Sequence, residues 1–551
     1  MNYRIASFKD NQEIESFVIK ASKDSIASKM SQEGQQSFLR FSETIFKGKN
    51  SHLFIVAQEN GAIRGVLALR HLKHISLLFV EKDYQHQGVG RTMIEAASQL
   101  TSVDLEVNAF DGTEPFYSSC GFKRTGEQWE KDGIVCLPMC KSLTLKHSFA
   151  NYDEVVRFIN SQKARVYSLT HFQSFMRTYL DPQMALRCVH IGGTNGKGST
   201  TNYVKEVMMH SGYHVGTFTS PPLISRLDVI QIDDLSIAEE DMVRYSNRFM
   251  EAWTHYELSM FEIEVFCGIL YFLEHAVDLA LFEVGLGGTL DATNIIHPLL
   301  AVNTNIGLDH VDYLGHTYTS IATNKAGIVK EGVDYMTGET RQECLDVFAK
   351  ATHQHHSRLI VIDHPDDYVI SDGIAYDYHG FHVHLDTTAL YQVDNSALAI
   401  NILEYIRSAF PFEDDDLIMG MAHAHWAGRF EVVHHDPLII IDGAHNKEGM
   451  DAFYASASHY DHIKIIFSAL RDKDTHHMIE TLLRLTDDVT ICEFDFYRAQ
   501  SAEKLAEDFP VKIEKDWHQA IDEAYFHKGV VFVTGSLYFI SQVRTYIMKK
   551  C

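Results

Sequence analysis

The chain has 551 residues, of which 45% are hydrophobic and 22% charged, a composition typical of folded globular protein that excludes a disordered chain. Asp and Glu number 74 against 48 Lys and Arg, for a formal net charge of −26, which argues against binding nucleic acid or an anionic membrane through bulk charge. The acidic excess is uneven, because residues 1–147 hold 18 Lys and Arg and 17 Asp and Glu. This difference predicts a fusion of two unlike parts.

The cysteines and the first residues bear on the cellular compartment. Eight cysteines are spread along the chain without a CxxC pair, which favours a reducing environment. The first ten residues lack the apolar core of a signal peptide, and the sequence contains no stretch of about 18 uncharged apolar residues. We therefore expect a cytoplasmic enzyme with no nucleic-acid partner and no membrane partner.

The N-terminal part mixes strand-like and helical stretches. Residues 53–58 and 65–70 are apolar and flank a short turn, a pattern that predicts a β-hairpin. A further strand is predicted over 75–80, and it leads through QHQGVGR at 85–91 into a helix. Residues 141–151 are polar and predict a linker.

After this linker, short apolar strands alternate with helical stretches, a pattern typical of a doubly wound parallel sheet. The fold class we predict is α/β, with an N-terminal α+β domain, a doubly wound domain that carries a phosphate-binding loop, and a C-terminal Rossmann-like domain. The predicted boundaries are 1–143, 148–425 and 426–551. The strands of the two later domains are predicted to begin at Cys188, His214, Leu279 and Leu300, and at Leu438, Lys464, Val489 and Val530.

A glycine-rich segment follows the first of these strands and opens a helix, the setting in which backbone N–H groups bind phosphate. Lys197 could reach the β- and γ-phosphates of a nucleotide. The spacing of a strict Walker loop fails because Ile191 stands where the first glycine belongs, so a purely structural turn is the alternative. The candidate phosphate-binding residues are Gly193, Thr194, Asn195, Gly196, Lys197, Gly198, Ser199 and Thr200.

Polar side chains follow the neighbouring strands at their C-terminal ends, where open α/β sheets bind ligands. Ser220 follows the second strand, Glu283 ends the third and His310 follows the fourth. Alone, Glu283 could be a solvated or capping carboxylate and His310 a turn histidine. Together, a hydroxyl, a carboxylate and an imidazole suit Mg²⁺ that bridges nucleotide phosphates.

Six motifs occur in an order that resembles the folylpolyglutamate synthase/dihydrofolate synthase family, a branch of the Mur ligase superfamily. They are GTNGKGST at 193–200, EVGLGGTLDATN at 283–294, GLDH at 307–310, KAGIVK at 325–330, GRFE at 428–431 and DGAHN at 442–446. The resemblance extends from about residue 151 onward. It implies that ATP phosphorylates a carboxylate of a folate or pteroate, and that the α-amine of glutamate then displaces phosphate to form an amide.

The resemblance also implies roles for single residues. Ser220, Glu283 and His310 would be Mg²⁺ ligands, and Lys197 and His310 would act in catalysis. Lys325, also implied in catalysis, matches a lysine that the family carries as a carbamate, with an ordinary ion-paired lysine as the alternative. The ligase part is expected to be monomeric. The remaining implied contacts are Asn395 with adenine, Arg429 with the phosphates, Asp442 with the ribose or nearby, and Phe261, Glu262 and His445 with substrate.

Several positions depart from the family's pattern on the expected pterin and glutamate side. Pro222 and residues 227–229 replace a histidine and an Asn-Glu-Arg, Thr289 replaces an arginine and Tyr391 a histidine. Phe261 and Glu262, which match the family's Phe-Glu on the pterin side, favour a folate. These departures leave open a second hypothesis, in which the same ligase chemistry acts on another carboxylate.

The N-terminal part resembles the GNAT acetyltransferases over residues 1–143, through QHQGVG at 85–90 and FYSSCGF at 116–122. The resemblance implies that the acetyl-CoA pyrophosphate binds at the loop of Gln85, Gly88 and Gly90. It also implies that Tyr117 protonates the departing CoA thiolate, with a core tyrosine as the alternative. The acceptor would be an amine that the sequence does not identify. A non-catalytic acetyl-CoA-binding regulatory module is a third hypothesis.

Two conspicuous clusters are predicted not to be sites. HQHH at 353–356 lies in a polar stretch without a Cys or carboxylate at ligand spacing, which predicts a solvated helix face. EDDD at 413–416 is typical of a charged loop between elements.

Overall fold

The computed structural model describes residues 1–25, 31–47, 52–145, 148–162 and 168–550. Three mixed α/β regions follow one another along the chain, which confirms the predicted fold class. Within these ranges no helix is both long enough and apolar enough to cross a membrane. The predicted linker at 141–151 contains no helix or strand after Lys141 in its described part, and residues 146 and 147 lie outside the described residues.

The N-terminal region is an eight-stranded sheet with helices on both faces. Its elements are β1 (Asn2–Ile5), α1 (Asn11–Ser25), α2 (Gln32–Lys47), β2 (His52–Glu59), β3 (Ala62–Arg70), β4 (His74–Val80), α3 (Val89–Leu100), β5 (Leu105–Phe110), α4 (Glu114–Ser119), β6 (Lys123–Arg124), β7 (Trp129–Lys131) and β8 (Ile134–Lys141). The strand order is β1-β2-β3-β4-β5-β8-β6, with β7 on β8. The predicted hairpin is confirmed as β2 and β3. Helix α1 buries Ile14 and Val18 on one face, and α3 buries Met93 and Ile94 on the other.

Strands β4 and β5 are parallel but pair over a short length. Their register joins His74 to Glu106 and Ile75 to Val107. Beyond these pairs, β4 continues alongside β3 and β5 alongside β8. The two strands therefore part toward their C-terminal ends, and α3 follows β4 at this opening.

The central region contains a second eight-stranded sheet. Its elements are α5 (Tyr152–Ser161), α6 (Thr170–Thr178), β9 (Cys188–Gly192), α7 (Lys197–His210), β10 (Val215–Phe218), β11 (Ile230–Ile232), β12 (Leu235–Ser236), α8 (Glu239–His255), α9 (Met260–Glu274), β13 (Leu279–Glu283), β14 (Leu300–Asn303), α10 (Val311–Leu314), α11 (Tyr318–Lys325), β15 (Tyr335–Thr337), α12 (Gln342–Gln354) and β16 (Leu359–Val361). The order is β12-β11-β10-β13-β9-β14-β15-β16, parallel from β10 to β16. All four predicted strands are present, with β9 near the centre, so the loop after β9 lies at the middle of the ligand-binding edge.

A small antiparallel sheet and two helices complete the central region. They are β17 (Val369–Ile370), β18 (Ile374–Tyr378), β19 (Phe381–Leu385), α13 (Tyr391–Ile406) and α14 (Asp414–His423), and they share an apolar cluster with α7. The prediction of a loop at 413–416 is wrong. Glu413 is the N-cap of α14 and its carboxylate forms a capping box with Asp416. Acidic side chains stabilise a helix N-terminus, so this run starts a helix.

The C-terminal region is a six-stranded sheet of order β20-β21-β25-β22-β23-β24, antiparallel at β20 and β21 and parallel elsewhere. All four predicted strands are again present. The elements are β20 (Glu431–His435), β21 (Leu438–Ile441), α15 (Lys447–Ala457), β22 (Ile463–Phe467), α16 (Thr475–Leu483), β23 (Val489–Glu493), α17 (Ala502–Ala506), β24 (Lys512–Asp516), α18 (Trp517–Ala524), β25 (Val530–Thr534) and α19 (Leu537–Met548).

The N-terminal region packs against α8 and α9 of the central region. A single apolar cluster contains Met93 of α3, Phe249 of α8 and Phe266 of α9. Arg248 donates from Nε to the carbonyl oxygen of Thr101 at 3.0 Å and from Nη2 to that of Ser98 at 2.9 Å. These carbonyls lie at the C-terminus of α3, where a cation is favoured by the helix dipole.

Candidate active sites

A cavity of about 320 Å³ lies between the central and C-terminal regions, at the C-terminal ends of β9, β10 and β13. Residues from both regions line it, and most of the predicted ligase residues are among them. Those lining it are Gly193, Thr194, Asn195, Gly196, Lys197, Gly198, Ser199, Ser220, Glu283, His310, Lys325, Asn395, Arg429, Asp442 and His445.

Three predicted residues do not line this cavity. Thr200 is fully buried with its Oγ1 3.5 Å from the carbonyl oxygen of Asn395. Phe261 packs edge-on against Phe218, with ring centroids 5.6 Å apart. Glu262 caps α9, because it accepts the Ser259 N–H at 2.7 Å, and it also pairs with His171 at 2.9 Å. These contacts are structural, so substrate binding by Phe261 and Glu262 stays a prediction.

The phosphate loop is held tightly by its surroundings. Gly196 caps α7 with φ of 82°, and a Cβ there would lie 2.2 Å from Oδ1 of Asn395. A Cβ at Gly198 would lie 3.0 Å from the indole nitrogen of Trp426. Glycine is required at Gly196 by both the backbone angle and the close approach. Asn395 therefore lies directly against the loop, although the two are distant in sequence.

A buried ion pair stands beside the loop. Nζ of Lys197 lies 3.7 Å from Oε1 of Glu283 and donates to the carbonyl oxygen of Thr194 at 3.2 Å. The other carboxylate oxygen of Glu283 accepts the N–H of Ser220 at 3.3 Å. Burial raises the pKa of Glu283, and the charge of Lys197 opposes this shift. A cation and a carboxylate thus face the place where phosphate groups would bind.

The predicted metal ligands suit Mg²⁺. Burial lowers the pKa of His310, and the charge of Lys473 adds to this effect, so the imidazole favours the neutral form that binds metal ions. Among the described residues, no group of three or more His, Cys, Asp or Glu could hold a metal by itself. Ser220, Glu283 and His310 nevertheless fit Mg²⁺, because this ion uses few protein ligands and completes its shell with water and phosphate oxygens.

The HQHH segment lies elsewhere. Helix α12 ends at Gln354, so His355 and His356 lie beyond the predicted helix face. His356 pairs with Glu331 at 2.7 Å on the surface.

Lys325 is buried at the end of α11. Its Nζ donates to the carbonyl oxygen of Gly193 at 2.7 Å. Burial and the charge of Lys197 lower the pKa of Lys325 to about 7. No ion pair within 4.0 Å joins Lys325 to a carboxylate in the described part of the chain, in contrast to the ion-paired alternative. The carbamate itself stays a prediction.

Asp309 joins the central and C-terminal regions. Its carboxylate accepts from Nζ of Lys473 at 2.7 Å and from Nδ2 of Asn446 at 3.1 Å, and Nε2 of His445 lies 3.6 Å away. Burial alone would raise the pKa of Asp309, but His445 and Lys473 outweigh it and hold the pKa well below its usual range. Sequence reasoning singled out neither Asp309 nor Lys473 individually.

Asp442 has its oxygens occupied by the protein. They accept the N–H groups of Phe430 at 2.9 Å and Ala444 at 2.8 Å, and the hydroxyl of Tyr391 at 2.7 Å. Tyr391, one of the departures from the family pattern, thus links α13 to the C-terminal region. Contact of Asp442 with a ribose stays a prediction.

The N-terminal region brings its predicted residues to the opening between β4 and β5. Gly88 caps α3 with φ of 85°, and a Cβ at Gly90 would lie 3.1 Å from the ring of Phe116. Gln85 donates to the carbonyl oxygen of Val80 at 2.9 Å. Tyr117 is buried with its ring edge-on to Phe122, and burial raises the pKa of Tyr117, so the hydroxyl keeps its proton.

A hydrogen-bonded chain that sequence reasoning missed lies at the start of β4, where β4 and β5 pair. Asn108 donates from Nδ2 to Nε2 of His74 at 3.2 Å. Nδ1 of His74 lies 3.4 Å from Oγ of Ser76, and Nε2 of His52 lies 3.1 Å from that oxygen. Burial lowers the pKa of His74, and burial followed by the charge of Arg70 lowers that of His52 to about 4. Both imidazoles are therefore neutral at pH 7.

Three family models match the chain. They are an acetyltransferase (GNAT) domain over residues 9–143, a Mur ligase middle domain over 191–403 and a Mur ligase, glutamate ligase domain over 428–537. Together with the fold and the cavity, they define the larger part of the chain as a Mur-type ligase.

Individual relatives narrow this class. A dihydrofolate synthase/folylpolyglutamate synthase from Bacillus subtilis (strain 168) is 34% identical over 394 residues, which are 66% of this chain and 91% of that protein. The chain belongs to the folylpolyglutamate synthase/dihydrofolate synthase family and carries an N-terminal GNAT domain. The resemblance drawn from the motifs is thereby confirmed.

Solved structures agree with this assignment. Folylpolyglutamate synthase from Mycobacterium tuberculosis, complexed with ADP and AMPPCP, aligns with a TM-score of 0.66 and 25% identity, covering 72% of this chain and 98% of that one. The apo form of the L. casei enzyme aligns with a TM-score of 0.64 and 27% identity, covering 72% and 100%.

Proposed function

We propose that the ligase part adds glutamate to a folate, by extending tetrahydrofolate polyglutamates, by converting dihydropteroate to dihydrofolate, or by both. The observation that carries this proposal is the cavity in which the phosphate loop, the Lys197–Glu283 pair and the turn at His445 face one another. The name of the Bacillus subtilis relative supports a folate as acceptor.

The proposed chemistry proceeds by positioning and charge neutralisation. ATP would lie with its phosphates on the loop after β9 and its adenine toward Asn395, with Arg429 reaching the phosphates. Mg²⁺ held by Ser220, Glu283 and His310 would neutralise phosphate charge. Lys197 and the N–H groups at the start of α7 would hold the transferred phosphoryl group while the substrate carboxylate attacks it.

The direct test supplies the chain with ATP, carbon-14-labelled glutamate, and either tetrahydrofolate or dihydropteroate. We expect a labelled pterin product and an equal amount of ADP. ATP turnover on another carboxylate without labelled pterin would overturn the folate assignment and support the second hypothesis, which Pro222, Val229 and Thr289 motivate.

For the N-terminal part we propose transfer of an acetyl group from acetyl-CoA to an amine. The observation that favours it is the neutral His74 at the start of β4, beside Asn108 of β5, because an amine nucleophile must lose a proton to a base. Tyr117 would donate its proton to the CoA thiolate.

Acetyl-CoA titration followed by a panel of primary and secondary amines tests this second activity. Binding with release of free CoA that depends on one of the amines is the expected result. Tight binding without turnover on any amine would favour the non-catalytic regulatory module instead.

A further inference from the structure

One carboxylate of the ligase cavity has an unused oxygen. Glu448 lies in the first turn of α15 and lines the cavity. Its Oε1 accepts the N–H of Leu308 at 3.0 Å and faces the hydroxyl of Tyr318 at 3.3 Å. Its Oε2 is buried and has no hydrogen-bond partner among the described residues. A buried polar atom without a partner is costly, so this oxygen points to a ligand that supplies a donor.

The other cavity carboxylates are already engaged. Glu283 pairs with Lys197, Asp309 with Lys473, Asp394 with His364, and Asp442 accepts three protein donors. Among the described residues that line the cavity, Glu448 is therefore the one whose carboxylate keeps a buried oxygen without a protein donor. This oxygen could accept a hydrogen bond from a substrate.

Glu448 lies close to the phosphate loop. A Cβ at Gly307 would lie 2.9 Å from Cδ of Glu448 and 3.1 Å from Cγ2 of Thr194. The carboxylate and the phosphate loop are thus both in contact range of the same glycine. Glu448 belongs to the C-terminal region, three residues after His445, so a phosphoryl group bound on the loop would have Glu448 on the opposite wall of the cavity.

We propose that Glu448 binds the α-ammonium group of the incoming glutamate and takes a proton from it. This assignment rests on the proposed ligase function, in which that nitrogen is the nucleophile. An amino acid carries its amine as an ammonium ion near neutral pH, and an ammonium nitrogen has no lone pair to attack with. A positioned carboxylate is a suitable general base for this step.

Proton transfer to Glu448 precedes formation of the amide bond. One proton passes from the ammonium nitrogen to Oε2 of Glu448, which frees a lone pair. That pair forms the C–N bond at the acyl carbon, and the bond from this carbon to the bridging oxygen breaks, with its electrons leaving on phosphate. A second nitrogen proton passes to the phosphate, giving HPO₄²⁻. Glu448 then returns its proton to water.

A structural role is the competing explanation. An acidic residue in a first turn stabilises its helix, and Oε1 of Glu448 links α15 to residue 308 of the central region. Glu448→Gln retains an oxygen that can accept from Leu308 and Tyr318 but removes the base, so it separates the two roles.

The experiment compares two nucleophiles in the full chain with ATP and the folate substrate. Glutamate needs a base, whereas hydroxylamine is uncharged near neutral pH and captures an acyl phosphate as a hydroxamate without one. For Glu448→Gln we expect kcat with glutamate to fall by about 10²-fold or more, while hydroxamate formation stays at the wild-type rate. The glutamate reaction of this variant should recover as pH rises, because more of the amine is then already neutral.

A matched control is Asp451→Asn, which makes the same change one turn further along α15, where the carboxylate pairs with exposed Lys447 at 3.0 Å. Both of its reactions should keep wild-type rates. Parallel loss of both reactions in Glu448→Gln, or loss of neither, would overturn the assignment. A wild-type chain that forms hydroxamate but no glutamyl product would instead refute glutamate as acceptor, and this assignment with it.

Discussion

The ammonium group of Lys473 lies 2.7 Å from Oδ1 of Asp309, and this ion pair crosses from the C-terminal region to the central region. Side-chain exposure is 8% for Lys473 and 11% for Asp309, so the pair is largely shielded from water. Asp309 adjoins His310, a candidate Mg²⁺ ligand, and also faces His445. The pair therefore fixes the relative position of the two walls of the cavity.

Replacing Lys473 with methionine should weaken this junction. Breaking a buried pair from one side leaves an uncompensated charge and costs about 3–5 kcal/mol. We expect unfolding at lower urea concentration and a KM for glutamate raised more than that for ATP, since His445 contacts the same carboxylate, that of Asp309. Steady-state kinetics and urea denaturation measure these effects.

The double variant Asp309→Asn, Lys473→Met provides the control for stability. With both charges removed, no buried charge is left unpaired, and its urea midpoint should lie closer to wild type than that of Lys473→Met. A double variant less stable than the single one by the full cost of a second independent change would contradict a direct pair.

The lowered pKa of Lys325 predicts that ligase activity depends on carbon dioxide. A carbamate forms from the neutral amine, and a pKa of about 7 makes that form roughly 10³-fold more abundant at pH 7 than for an ordinary lysine. Because the folded-state pKa is lowered, the neutral form grows as pH rises through 7. Ligase activity should fall in CO₂-depleted buffer at pH 7 and return with bicarbonate.

Two variants separate the carbamate from a plain lysine. Lys325→Ala should lose ligase activity and recover part of it with added acetate or formate, which can replace the missing carboxylate. Lys325→Arg keeps a cation but cannot become this carbamate, and it should stay inactive with bicarbonate. Full activity of Lys325→Arg would rule out the carbamate.

The phosphate loop and its strand-end neighbours were predictable from sequence. Parallel strands bring their C-terminal ends to one edge of a sheet, so Lys197, Ser220 and Glu283 could be placed together from their positions after three strands. The structure brings all three to one cavity. The same local logic should have identified the start of α14, because Glu413 and Asp416 have the spacing of a capping box.

Contacts between regions could not be predicted in this way. Lys473 and Asp309 are 164 residues apart, and neither belongs to a pattern that marks the other as its partner. The role of Glu448 depends on which of its oxygens is already bonded, a property of packing that no sequence motif carries. His74 and Asn108 likewise meet only because β4 and β5 pair in a particular register.

Lys197→Ala tests whether the proposed ligase and acetyl-CoA sites are independent. Its ammonium group lies beside Glu283 and the phosphate loop, and loss of one such electrostatic contact costs about 10²–10³ in kcat. We expect ATP turnover to fall by at least this factor, while acetyl-CoA binding measured by calorimetry keeps its wild-type Kd. Loss of acetyl-CoA binding as well would contradict separate sites.

Gly88→Val tests the proposed acetyl-CoA loop and should leave the ligase unaffected. Gly88 has φ of 85° and open space around a Cβ, so valine meets backbone strain of about 1–3 kcal/mol rather than a clash. Because the loop must present its N–H groups at the start of α3, we expect acetyl-CoA to bind at least tenfold more weakly, with ligase kinetics unchanged. Gly61→Val is the matched control, since Gly61 has φ of 80° and equally open space in the turn between β2 and β3. Equal weakening by both variants would attribute the effect to general strain in the domain and would remove the loop as the binding site.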